Sequence, residues 1–177
     1  QPDRSDGIGL SGGGRSGGVG EERAIVTLVE RGGKSRSFHV AVADTKTVMQ
    51  IVRENVARES RLHTDGSPLY KLFGKEFAEH ASVDHSSGEY ARFENGDAIH
   101  NNACESYFSV FKRGMKGVYQ HCQEKHLHRY LSECDFRHNT RSKLGVEDKQ
   151  RADIAMAGAA GKRLTYRRTH GKEHVSR

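Results

Sequence analysis

Apolar and polar positions alternate in blocks along this chain, and the period changes from one block to the next. AIVTLVE (24–30) and RSFHVAVAD (36–44) are apolar, β-branched runs joined across Arg31-Gly32-Gly33-Lys34, which predicts a β-hairpin. Val48, Met49, Val52 and Val56 recur at helical spacing with Ile51 beside them, giving a helix over about 46–58. RLHTD (61–65) reads as a short strand ending in a carboxylate, Pro68 opens a short helix to about 73, and FAEHASV (77–83) is a further strand. Residues 84–97 read as a polar connection. Helices follow over about 102–112, ended by Gly114, over about 124–139, and over 147–160. The order is that of an α/β domain, a mixed sheet covered by helices.

The glycine-rich stretch before residue 21 changes the picture, because it offers almost nothing to bury. It reads as a flexible segment, so the hairpin is left without a strand on its N-terminal side. GGGRSGG resembles a phosphate-cradling loop only in its glycines, since the Lys-Ser/Thr ending and a preceding strand are missing. The expected organisation is a flexible segment over 1–22, a folded core over 23–145, and a helix with a basic tail over 146–177.

The chain has 177 residues, 34% of them hydrophobic, which suits one domain with tails. No apolar run approaches the roughly 18 residues of a helical membrane span. The chain opens on Gln1 with no charged-then-apolar leader, and reads as a fragment or processed piece. Its three cysteines (Cys104, Cys122, Cys134) have no framework spacing, which fits a reduced, cytoplasmic setting.

Charge is uneven. Residues 1–109 hold 13 lysines and arginines against 16 acids, whereas residues 110–177 hold 16 against 7. A basic half interleaved with Tyr, Phe and His is the footprint of a nucleic-acid partner. Lys112, Arg113, Lys116, Lys125, Arg129, Arg137 and Arg141 are the candidate phosphate contacts; a solvated helical face is the plain alternative.

Two carboxylates stand out. Asp65 sits where a strand runs into Gly66-Ser67-Pro68, where ligands bind in open α/β sheets, or else it caps the helix begun at Pro68. Glu105 falls on a helix otherwise rich in Tyr107, Phe108, Val110 and Phe111, and Lys112 lies two turns further on the same face. Brought together, the two would make a hard oxygen site for Mg²⁺ or Mn²⁺, whereas a solvent-exposed Glu–Lys face is the simpler reading. Cys122 with His126, and Cys134 with His138, are each four apart and could form a tetrahedral zinc site; otherwise the cysteines are small core residues. Cys104 beside Glu105, with His100 nearby, lacks the separated base and orienting group of a thiol nucleophile.

The run 99–141 resembles the C-terminal signature of ISXO-like DDE transposase domains of bacterial insertion sequences. The residues carrying it are His100, Asn102, Glu105, Tyr107-Phe108, Lys112-Arg113-Gly114, Tyr119 and His121. They continue with Lys125-His126-Leu127, Arg129-Tyr130-Leu131, Phe136-Arg137, Asn139 and Arg141. VERGG (29–33), HTDGSPLY (63–70), VDHSSGEY (83–90) and GKRLTYR (161–167) fit the same family in order, so the resemblance spans about 24–168. It implies an RNase H-like fold, DNA as partner, a homo-oligomer in the intact enzyme, and a two-ion Mg²⁺ or Mn²⁺ site for cleaving and joining DNA strands. In that pattern Asp65 matches the second aspartate and Glu105 the third ligand, with Asn102 the minor alternative. The first aspartate belongs on the first sheet strand. Asp3 and Asp6 lie in polar, Gly-flanked sequence unlike a central strand. The expectation is therefore a core lacking its first strand and first aspartate, inactive or nearly so, with a non-catalytic DNA-binding remnant as the alternative.

Overall fold

The computed structural model describes residues 7–12, 24–84, 87–94, 96–120 and 122–162. Seven strands and four α-helices follow in the order β1 (Gly7–Gly12), β2 (Ala24–Glu30), β3 (Ser35–Val40), α1 (Thr45–Asn55), β4 (Arg61–Asp65), β5 (Glu79–Val83), β6 (Ala91–Glu94), β7 (Asp97–His100), α2 (Asn102–Gly117), α3 (Leu127–Asn139) and α4 (Asp148–Ala159). Five strands form one mixed sheet in the order β3-β2-β1-β4-β5. β1 runs antiparallel to β2 and parallel to β4, and β4 runs parallel to β5.

β1 corrects the expectation of a missing first strand and of a wholly flexible segment over 1–22. GIGLSG pairs along its length with β2, from Ile8 opposite Glu30 to Gly12 opposite Val26, and with β4 from Gly7 opposite Arg61 to Leu10 opposite Thr64. Strand pairing uses backbone N–H and C=O groups, which glycine carries as well as any residue. Glycine's entropic cost here is offset by ladders on both sides.

The remaining strands show why their sequences are apolar. β2 is flanked by β1 and β3 and lies between helices, so Ile25 and Val29 enter one core while Val26 and Leu28 enter the other. The first core gathers Val48, Ile51 and Val52 of α1 with Leu62, Tyr70, Phe73 and Phe77. The second gathers Cys104, Tyr107, Phe108 and Phe111 of α2 with Leu127 and Leu131 of α3. The spacing of those α2 residues is that of one helical face. α1 starts at Asp44, whose carboxylate accepts the Thr47 N–H at 2.8 Å.

α3 is fastened to the edge strand β3 by two polar side chains. The Asp135 carboxylate accepts from Ser37 N–H (2.7 Å), Ser35 Oγ (2.8 Å), Ser37 Oγ (3.0 Å) and the Tyr107 hydroxyl (2.7 Å). Asn139 accepts from Ser35 N–H at 2.6 Å and donates to Ser35 C=O at 2.8 Å, so its amide takes the place of a neighbouring strand. Burial above all pushes the Tyr107 hydroxyl pKa up.

Two further expectations change. The polar connection over 84–97 contains a hairpin, β6 with β7, turned at Gly96 in a left-handed conformation (φ +86°). Short strands with alternating charges lack the apolar run that marks a buried strand. α2 continues past Gly114 to Gly117, because one glycine inside a helix costs only about 1 kcal/mol. α4 matches the last expected helix, and none of its residues is buried. The basic tail from residue 163 onward lies outside the described residues.

Candidate functional site

Alternation along β4 sends Leu62 into the α1 core and places Arg61, His63 and Asp65 on the opposite face, toward α2. Asp65 ends the strand. Its carboxylate accepts the Ser67 N–H at 3.3 Å, while the N-cap of the following 3₁₀ turn is Ser67 itself. The capping alternative therefore falls to Ser67.

Glu105 lies in the first turn of α2 and is exposed. Beside it, Cys104 is fully buried over β2, its thiol on the Thr27 carbonyl at 4.0 Å. The Cys104 thiol pKa is pushed up first by burial and then by the negative charges of Asp65 and Glu105. The upward shift keeps the thiol protonated, so Cys104 is no nucleophile. α2 packs against β1 and β2, and β1 pairs with β4, so α2 lies one strand away from β4. Asn102, the alternative third residue, opens α2 and is exposed.

Between β2 and β4 runs β1. Ser11 stands opposite Thr27, and one step beyond the last registered pair it comes level with Asp65. None of the six residues GIGLSG is acidic. Asp3 and Asp6 lie outside the described residues. Two Mg²⁺ or Mn²⁺ ions about 3.5–4 Å apart need a shared oxygen ligand as well as terminal ones. Among the described residues no three of His, Cys, Asp and Glu gather to hold a metal. Among the described residues the carboxylates do not fit a two-ion site.

The zinc alternative meets the same test. Cys122 and Cys134 pack in the α2–α3 core, and His138 lies edge-on to Tyr107 with ring centroids 5.5 Å apart. The four N and S donors do not converge.

Beside Asp65 lies a cluster the sequence reading missed. Arg31 donates to His63 Nδ1 at 3.0 Å and to the Ala98 carbonyl at 2.9 Å, tying β2, β4 and β7 together. Since arginine only donates, His63 carries its proton on Nε2. Burial, then the charges of Arg31 and Arg61, lower the His63 pKa to about 4. His100, at the end of β7, is lowered by burial and by Arg31. Arg61 bridges Glu79 at 2.8 Å and Asp97. The available signal was the two-residue step from His63 to Asp65, which puts them on one strand face.

The basic residues divide. Lys112, Arg113 and Lys116 are exposed along α2, with Lys112 two turns from Glu105, and Lys125 and Arg129 are exposed at and beyond the start of α3. Arg137 is held by Glu133 at 2.8 Å. Arg141 donates to the Gly33 carbonyl at 2.8 Å and to the His138 carbonyl at 2.5 Å, fastening the end of α3 to the β2–β3 turn. No helix among the described residues is long and apolar enough to cross a membrane.

Residues 7–139 match the family model described as the ISXO2-like transposase domain. No curated protein matches the chain.

Proposed function

Because this chain belongs to the ISXO2-like transposase domain family, we propose that it is a DDE-type transposase core of RNase H-like build in which DNA binding outlives strand cleavage. The carrying observation is the place of Asp65 at the end of β4 and of Glu105 in the first turn of α2, next to a central strand without a carboxylate. The resemblance puts Asp65 and Glu105 in the second and third ligand positions. The first would belong on β1, and its absence there removes the ligand shared by both ions. A five-stranded mixed sheet with helices on both faces supports the RNase H-like reading.

DNA is held, in this reading, along the outer side of α2 and the start of α3 by Lys112, Arg113, Lys116, Lys125 and Arg129. Arg137 and Arg141 are already engaged within the protein and contribute less. Phosphate contacts of this kind release counterions, so affinity falls steeply with salt.

With Mg²⁺ or Mn²⁺, the chain is expected to leave supercoiled DNA uncut, and Asp65→Ala and Glu105→Ala are expected to behave like the parent. Strong nicking abolished by both substitutions would sink the inactive assignment. In gel shifts at stepped salt, Lys112→Ala with Lys116→Ala is expected to weaken binding and to reduce the salt slope by about 0.9 per lost contact. An unchanged slope would remove α2 from the DNA face.

A further inference from the structure

We propose that Arg31, His63 and His100 form a binding site for one phosphate-class oxyanion. Glycine makes room for it. In register, Gly9 stands between Val29 of β2 and His63 of β4, and Gly7 stands beside Arg61. Neither glycine puts a side chain over the sheet. The Arg31 side chain can therefore cross β1 to reach His63, two strands away, and its bond to the Ala98 carbonyl ties it to β7 as well. Asp65 ends β4 two residues beyond His63, away from Arg61.

The charge of Arg31 is not balanced by a neighbour. Glu79 and Asp97 are both held by Arg61, and Glu30 turns to the Lys34 N–H at 3.1 Å. Among the described residues no carboxylate pairs with Arg31, although the side chain is partly withdrawn from water. A cation in that position favours an anion beside it. Two imidazole nitrogens add direction. His63 is 2% exposed, and because its Nδ1 accepts from Arg31, its Nε2 carries the hydrogen. Among the described residues that buried donor meets no acceptor. His100 stands two residues along β7 from the Ala98 carbonyl that Arg31 holds, and its buried Nδ1 also has no hydrogen-bond partner among them. Buried polar atoms of folded proteins rarely stay unpaired.

The donor set selects the ligand. Arg31 and the His63 Nε2–H can only donate, so neither can hold a metal ion. A water molecule would accept from them but would leave the arginine charge unbalanced. A tetrahedral oxyanion balances it and accepts from several directions at once. Phosphate of this chemistry comes either as the free ion or from a nucleic-acid backbone. The site does not rest on the DNA reading above, which uses other residues.

NMR of the imidazole nitrogens in the whole chain tests it, with sodium phosphate compared against sodium chloride at equal ionic strength. Phosphate is expected to shift the His63 ring nitrogens in a saturable way, half complete at or below about 10 mM, while chloride leaves them in place. Arg31→Met is expected to raise the dissociation constant by about tenfold or more, with Arg31→Lys in between. A short DNA duplex then separates the two sources. If the backbone is the ligand, the duplex moves the same signals; if the free ion is, the duplex leaves them unmoved and phosphate still shifts them. If Arg31→Met fails to fold by circular dichroism, the phosphate and chloride titrations of the parent decide. No saturable shift up to about 50 mM phosphate, or an equal one in a folded Arg31→Met, overturns the proposal.

Discussion

Replacing Asp135 with alanine is expected to cost about 4 kcal/mol of stability. Its carboxylate receives four hydrogen bonds from Ser35, Ser37 and Tyr107, and it joins α3 to an edge strand. Hydrogen bonds to charged groups contribute about 1.5–3 kcal/mol each, and water reaching the half-buried site recovers part of the sum. Tyr107 is 2% exposed, and removing Asp135 leaves its hydroxyl with Ser37 Oγ as partner. Since domains of this size have about 5–15 kcal/mol in total, the variant should be near the limit of folding. Asp135→Asn keeps one acceptor oxygen and is expected to lose about half as much. Urea midpoints at constant slope measure both. A loss below about 1 kcal/mol for the alanine variant would show that α3 is held by Asn139 and its apolar contacts without Asp135.

The second large effect is on acid stability, through His63. Its pKa is near 4 in the folded chain against an ordinary 6.5, so between those values the unfolded chain binds the extra proton. Stability contributed by His63 is therefore full above pH 6.5, falls as the pH drops toward 4, and levels off below. The drop is about 3 kcal/mol, at up to about 1.4 kcal/mol per pH unit. His80, His100 and His138 are also lowered, chiefly by burial, and titrate in the same direction. His63→Gln keeps an acceptor for Arg31 while removing the titration. The difference between parent and variant unfolding free energies, measured from pH 7 to pH 4, isolates the His63 contribution. A difference that does not change across that range would mean that burial beside Arg31 does not hold the imidazole neutral.

Most of the sheet was legible because its residues must be buried. β2 alternates Ile25 and Val29 with Val26 and Leu28 since helices cover both faces, and RLHTD ends at Asp65 as its pattern indicates. Helices α1 and α2 were legible from the spacing of Val48, Ile51 and Val52 and of Cys104, Tyr107, Phe108 and Phe111. β1 was not, because the information for it lies in the backbones of β2 and β4 rather than in its own side chains. The hairpin β6–β7 was hidden for a related reason: only Ile99 of its eight residues is buried. At the site, Asp65 and Glu105 were identifiable one by one, whereas the coupling of Arg31 to His63 and Ala98 joins three segments whose proximity only the fold creates.

A glycine strand at the centre of the sheet also sets the order in which the domain can assemble. β2, β3 and α1 are neighbours in sequence and share an apolar core, so they can collapse early. Three of the six residues of β1 are glycine, and pairing it with β4 closes a loop of more than 40 residues. Its place is secured once β2 and β4 already stand one strand apart. The middle of the finished sheet is thus expected to be its last part to form, with amide protons that exchange before those of β2 and β4.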